Sequence, residues 1–200
     1  MMELILSALG GYLIGSIPTG YWMGRALKGI DIRTVGSGNV GATNVFRSVG
    51  RAAGLATLAI DILKGYGAVW AALSVVGGEA APLISGVAAV AGHSWSAWVR
   101  FRGGKGVATS AGVFFALIPG PTAVAVGVFA VVFGLFRRVS AGSIAAAVTL
   151  PVAARAMECA RPRAALAAVV GALVLIRHLP NIRRLLTGKE PPLEFTRKNP

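Results

Sequence analysis

Apolar runs long enough to cross a bilayer recur along this 200-residue chain, and nearly all of its charge lies in the short segments between them. With 55% hydrophobic residues and a mean hydropathy of +0.70, it is too apolar for an ordinary water-soluble domain. A membrane-crossing helix needs about 20 predominantly apolar residues, whereas a transmembrane β-barrel would show short alternating segments, which are absent. The expected class is an all-α polytopic membrane protein. No long polar linker divides residues 1–200, so a single transmembrane domain is expected. The first run carries Glu3 in place of a basic leader and has no obvious small-residue cleavage site, so it reads as a retained span.

Seven transmembrane helices are expected, over residues 4–23, 52 to about 77, 80–98, about 107–118, 122–136, 140–157 and 164–176. In the first, Gly11, Gly15, Gly20 and Gly24, with Ser16, form small-xxx-small pairs suited to close helix packing, and Pro18 kinks the helix without ending it. Pro119-Gly120-Pro121 reads as a turn between the fourth and fifth. With that division, loops one, three and five and the tail hold 5, 3, 2 and 6 Lys/Arg, while loops two, four and six hold 0, 0 and 2. The positive-inside rule then sets the N-terminus outside and the C-terminus in the cytoplasm. A single long span over 107–136 would put Arg137 and Arg138 outside and break the pattern.

A net charge of +13 would suggest nucleic acid in a soluble protein. Here topology accounts for most of it, so no nucleic-acid partner is expected, and attraction to anionic headgroups or phosphorylated substrates adds to it. The single Cys159 excludes an internal disulfide and has no Cys or His at metal-ligand spacing.

The most polar, glycine-dense stretch is Gly36-Ser37-Gly38-Asn39-Val40-Gly41-Ala42-Thr43-Asn44-Val45-Phe46-Arg47, in the first loop. Its glycines let backbone N–H groups converge on an anion. Ser37, Asn39, Thr43 and Asn44 add neutral hydrogen-bonding groups, and Arg47 adds a guanidinium fork suited to phosphate. The plain alternative is a membrane loop with ordinary turn residues. A second stretch, Arg102-Gly103-Gly104-Lys105-Gly106-Val107-Ala108-Thr109, leads into a helix whose N-terminus favours negative charge. It fails the Walker pattern, because Gly106 follows the lysine and Val99 stands where the first glycine should be. That excludes an NTPase and leaves a phosphate cradle of another kind, or a basic anchor at a span end.

His93, near the end of the third span, and His178, at the inner end of the seventh, fall at the same depth; each is a packing histidine or a base. Asp61 and Lys64, at i,i+3 in the second span, form a structural ion pair or a catalytic one. Trp95 and Trp98 suit an aromatic belt. No paired carboxylates, no His-x-x-x-x-Asp acyltransferase box and no metal-ligand cluster occur, so neither metal nor cofactor is expected. All three polar segments fall on the cytoplasmic side and can meet there.

Residues 37–47, Gly92-His93 with Phe101-Arg102-Gly103-Gly104-Lys105-Gly106-Val107-Ala108-Thr109, and Pro180-Asn181-Ile182-x-Arg184-Leu185-x-x-Gly188-x-Glu190 together resemble three signature regions of a known family. It is the bacterial acyl-phosphate:glycerol-3-phosphate acyltransferase family, PlsY. Asp61-x-x-Lys64-Gly65 also fits, and order and spacing hold along nearly the whole chain. One departure follows the histidine: the family's Phe-Pro-rich run is replaced by Ser94-Trp95-Ser96-Ala97-Trp98-Val99-Arg100, which keeps aromatic character and loses the proline.

The resemblance implies a bacterial inner-membrane enzyme with its active site on the cytoplasmic side. It would move an acyl group from acyl phosphate to the 1-hydroxyl of sn-glycerol 3-phosphate, giving lysophosphatidate and phosphate, the first step of phospholipid synthesis. An acyltransferase that loads phosphate from acyl carrier protein would supply the donor. Ser37, Arg47, Lys105, His178 and Asn181 are expected to carry catalysis. Gly38, Asn39, Thr43 and Asn44 would help hold the glycerol 3-phosphate, and Gly103, Gly104 and Gly106 the acyl phosphate. His93, Thr109, Arg184 and Glu190 complete the expected substrate contacts. Attack with the hydroxyl proton passing to the donor's own phosphate is favoured over a histidine base or an acyl-Ser37 intermediate. Of other classes, a transporter for a phosphorylated metabolite is disfavoured by polar residues clustered on one side and by the lack of an obvious inverted repeat. A passive lipid-binding protein gives no reason for three converging polar motifs.

Overall fold

The first apolar run folds as two helices that meet at Ile17–Pro18. In the computed structural model, which describes residues 1–194, α1 (Met2–Ser16) ends there and α2 (Thr19–Lys28) continues beyond. Proline has no N–H to donate and its ring disrupts the preceding turn. The Ile17 carbonyl, outside both ladders, accepts from Lys64 Nζ at 2.9 Å and from the Thr19 N–H at 3.1 Å. Arg197 and Lys198, two of the six basic residues counted in the tail, lie outside the described residues.

The first loop holds a 3-10 turn (Ile32–Thr34) and a short helix, α3 (Ala42–Ser48). Then come α4 (Arg51–Val75), α5 (Ala80–Ser94), α6 (Val107–Leu117), α7 (Pro119–Phe136), α8 (Val139–Ala156), α9 (Arg161–Arg177) and α10 (Leu179–Leu186). No strand occurs among the described residues. Several boundaries differ from expectation; the first run is cut at Pro18 instead of merely kinked, and stays helical to Lys28 instead of ending at Met23. The third run stops being helical at Ser94 rather than Trp98, and a turn follows in which Arg100 and Phe101 both adopt left-handed backbone (φ 56° and 60°). Pro119-Gly120-Pro121 is the first turn of α7, not a connecting turn; prolines fit there because the first N–H groups of a helix have no intrahelical partner.

Four segments among the described residues are long and apolar enough to cross a membrane: Met2–Lys28, Arg51–Val75, Pro119–Phe136 and Val139–Ala156. A fifth results if α9 and α10, bent by 60°, count as one. At 15 and 11 residues, α5 and α6 are shorter than the roughly 20 that a perpendicular crossing requires. Outward faces are apolar: Leu13, Leu63, Trp70, Leu135 and Val152 are all exposed. The interior is built from Val69, Val90, Val113 and Phe114, with alanines between them.

Helices pair most extensively as α1 with α5, α4 with α6, and α7 with α8. Small residues permit it. A Cβ on Gly11 or Gly15 would run into the carbonyl of Ser85 or Ala89 on α5, and one on Gly92 into that of Tyr12 on α1. Gly20 approaches the Val40 carbonyl of the first loop instead of another helix. Gly134, on the exposed face of α7, has nothing within 4 Å of its would-be Cβ. Gly15→Ala is therefore expected to destabilise the detergent-solubilised protein by about 1–3 kcal/mol. Gly134→Ala should leave thermal unfolding unchanged, and equal midpoints for the two variants would refute this packing account.

Candidate active site

The first loop is folded around Asn44. Its Nδ2 donates to the carbonyls of Ile32, Val35 and Asn39 (2.9–3.0 Å), and its Oδ1 accepts from the Ser37 N–H at 3.0 Å. Gly36 must lack a side chain because Asn44 Oδ1 occupies the space a Cβ would fill. Ser37, Asn39, Thr43 and Arg47 are thereby set along one cavity wall. Asn44 touches the same cavity, but its amide is committed to the loop. Gly38 lies off the wall, in left-handed backbone (φ 69°).

The Gly-Gly-Lys-Gly segment is held from two sides. The Gly104 N–H donates to the His93 carbonyl at 3.0 Å, and Gly104 packs so closely on the His93 ring that a Cβ would collide with Nε2. From the other side Arg177 donates to the carbonyls of Gly104 (2.8 and 3.2 Å), Gly103 (3.3 Å) and Ser94 (3.4 Å), its guanidinium lying 5.7 Å from the Trp95 ring centroid. Gly106, in left-handed backbone, caps α6 and lines the cavity with Lys105. Gly103, Gly104 and Thr109 do not line it; Thr109 is fully buried with its backbone against Gly65 of α4.

The tail brings the remaining residues in. Lys105 Nζ donates to Asn181 Oδ1 at 2.6 Å, and Asn181 Nδ2 donates onward to Glu190 Oε1 at 2.6 Å. Ser140 Oγ donates to the same oxygen at 2.6 Å and Arg184 Nε to Oε2 at 2.7 Å. Burial alone would raise the Glu190 pKa, but hydrogen bonds from Ser140, Asn181 and Arg184 and the Arg184 charge outweigh it, and the carboxyl sits below its ordinary value. Lys105 is shifted the other way. Burial, reinforced by Arg184, Arg177 and Arg47 against the attraction of Glu190, brings its pKa down to about 8. His178 is buried at the cavity wall with Nδ1 2.7 Å from the Val174 carbonyl. A carbonyl only accepts, so Nδ1 carries hydrogen and a neutral ring keeps its lone pair on Nε2.

Residues 190–193 strap across the site. Arg47 Nη2 donates to the Pro191 and Pro192 carbonyls (3.1 Å each), Arg138 Nε to the Glu190 carbonyl (2.8 Å), and the Leu193 N–H to the Arg137 carbonyl (2.7 Å). Behind His93, Asp61 pairs with Lys64 at 2.8 Å and accepts from Thr19 Oγ1 at 3.1 Å. His93 Nδ1 lies 3.8 Å from Asp61, too far for a direct hydrogen bond.

All these elements surround a cavity of about 700 Å³. One end is polar and cationic, walled by Ser37, Arg47, Lys105, His178, Asn181 and Arg184. The rest is apolar, walled by Phe114, Ala125, Phe129, Ala147, Leu150 and Val170 of α6–α9. Such a space suits a molecule that is anionic at one end and hydrocarbon at the other. Arg177, Ser140 and Arg138 were not singled out from sequence. Arg177 adjoins His178, but a basic residue at a span end looks the same whether it anchors to headgroups or turns inward.

Residues 5–188 match the model of the glycerol-3-phosphate acyltransferase family. The chain is 46% identical over 191 residues to the glycerol-3-phosphate acyltransferase of Synechococcus sp. (strain JA-3-3Ab), covering 95% of this chain and 93% of that protein. It is 40% identical over 198 residues to that of Endomicrobium trichonymphae, covering 99% and 100%. Its structure is similar to the crystal structure of PlsY (YgiH), an integral membrane glycerol 3-phosphate acyltransferase. The glycerol 3-phosphate form superposes with a TM-score of 0.90 at 38% identity over 96% of each chain. The lysophosphatidic acid form gives 0.87 at 37% over 94% of each. The chain therefore belongs to the glycerol-3-phosphate acyltransferase family, as a multi-pass membrane acyltransferase of the PlsY type.

Proposed function

We propose that this acyltransferase takes its acyl group from acyl phosphate and delivers it to the 1-hydroxyl of sn-glycerol 3-phosphate, releasing lysophosphatidate and inorganic phosphate. The observation that carries this reading is the two-ended cavity: a cationic, hydrogen-bonding end continuous with an apolar one. Ser37, Asn39, Thr43 and Arg47, with Lys105, hold the glycerol 3-phosphate. Lys105, Gly106 and the N-terminus of α6 face the acyl phosphate and the oxygen on which negative charge develops, with Gly103 and Gly104 behind them. The polar end lies in the cytoplasm, the chain crosses a bacterial inner membrane seven times with its N-terminus outside, and α5 and α6 are its shorter spans. The donor comes from an enzyme that transfers acyl groups from acyl carrier protein to phosphate.

Acyl phosphate is a mixed anhydride with a good leaving group. The glycerol 1-oxygen attacks the acyl carbon, the bond from that carbon to the bridging oxygen of phosphate breaks, and the hydroxyl proton ends on the released phosphate. No acyl-enzyme forms. Purified protein with palmitoyl phosphate and labelled glycerol 3-phosphate should yield labelled lysophosphatidate, and palmitoyl-CoA should yield none. Transfer from the thioester alone would overturn the donor assignment. In this mechanism His93→Ala and His178→Ala each lower kcat at saturating substrate by less than about tenfold. A larger loss in either variant, with an acid limb in the pH profile of the parent protein, would assign that histidine as the base.

Lys105 gives the site a pH dependence of definite sign. Burial favours the neutral amine, so the cation is present below about pH 8 and lost above it. In the free enzyme, kcat/KM for glycerol 3-phosphate should accordingly fall as pH rises through about 8. Lys105→Arg, whose guanidinium stays charged, should show no such limb. The same limb in both proteins would assign it to another group.

A further inference from the structure

We propose that Arg177 is a positioning residue for acyl transfer. Resting on the acyltransferase reading above, it fixes the peptide planes of the Gly-Gly-Lys-Gly segment so that the Lys105 N–H faces the reacting acyl phosphate. In a trans peptide the C=O and the following N–H point in opposite directions, and no cis peptide occurs among the described residues. The Gly103–Gly104 peptide shows this directly: its carbonyl accepts from Arg177 while its N–H donates to the His93 carbonyl on the far side. In the next peptide the Gly104 carbonyl again accepts from Arg177, through both Nε and Nη2. The Lys105 N–H must then point away from Arg177. It has no partner among the described residues, and Lys105 lines the cavity while Arg177 does not.

The orientation is not settled by the segment's own sequence. Gly103 and Gly104 have wide backbone freedom, and a flip of the Gly104–Lys105 peptide would turn a carbonyl dipole toward the anion. Two planar N–H donors on one carbonyl, a third on its neighbour, and Trp95 against the guanidinium hold the plane against that flip. The Lys105 N–H then extends the row of free N–H groups at the start of α6, where Ser110 is the first to bond back, to Gly106. Arg177 touches no substrate; it acts through Gly103 and Gly104. This also explains why these two glycines, which do not line the cavity, belong to the site.

The test uses full-length Arg177→Ala and Arg177→Lys in detergent, with acyl phosphate and glycerol 3-phosphate. Arg177→Ala is expected to lose about 100-fold in kcat, comparable to loss of an oxyanion donor. KM for glycerol 3-phosphate should stay within about threefold, because the other substrate's contacts are intact. The thermal midpoint should be unchanged, and added guanidinium should partly restore the rate while failing to rescue Lys105→Ala. Should Arg177→Ala not fold, Arg177→Lys decides: an ammonium cannot fork across both carbonyls, and a loss in kcat of about tenfold with the fold and KM kept is expected. A kcat within about threefold of the parent's, a loss that falls on KM, or one that follows a lowered midpoint would overturn the proposal. A parent protein inert with every donor would instead bring down the acyltransferase reading, and this proposal with it.

Discussion

Cations gathered inside an apolar bundle repel one another and miss their water, and the site depends on how that conflict is resolved. The resolution centres on a carboxylate among the cations. Glu190 accepts from Ser140, Asn181 and Arg184, and through Asn181 reaches Lys105. Its own backbone carbonyl fastens Arg138. A residue from the end of the chain thus joins the start of α8, the helix α10 and the loop before α6. Arg47, Lys105 and Arg184 still outnumber Glu190 at the polar end, so phosphate groups entering the cavity meet a field of the right sign.

The apolar end follows from a different economy of shape. Glycines let α1 and α5 approach until backbone meets backbone, and Gly65 and Gly112 do the same between α4 and α6. With those pairs tightly closed, the open space falls among α6–α9, where Phe114, Phe129 and Leu150 line it. Chemistry happens where the two regimes join, at the N-terminus of α6.

Much of this could be read from sequence because lipid imposes simple rules. Apolar runs showed an all-helical membrane protein and Gly11 and Gly15 a close helix contact, while Pro18, read as a kink, cuts the helix in two. The three polar motifs were the places where glycines and hydrogen-bonding side chains interrupted those runs, and the structure brings Ser37, Arg47, Lys105, His178 and Asn181 to one cavity. Helix ends were harder. Hydropathy reports burial in lipid and says nothing of where a ladder stops, so α5 was drawn four residues too long and the start of α7 taken for a turn. Side-chain duties were hardest. Asn44 reads as a ligand, yet its amide holds its own loop; Arg177 was not singled out, yet it turns inward; Glu190 reads as a substrate contact, yet its carboxylate is taken up by Ser140, Asn181 and Arg184. For Arg177 and for the Ser140 contact of Glu190 the outcome is fixed by residues far away in sequence; for Asn44 it is fixed by the way one loop closes on itself.

The break at Pro18 gives the buried Asp61–Lys64 pair its meaning. The Ile17 carbonyl loses its place in the ladder, and Lys64 reaches across from α4 to give it a hydrogen. A lone ammonium at that position would be intolerable, which is why Asp61 stands beside it, held in turn by Thr19 just past the break. The pair works as a splice: it joins a severed helix to its neighbour. An apolar pair of equal volume would fill the same space and leave the cut end open.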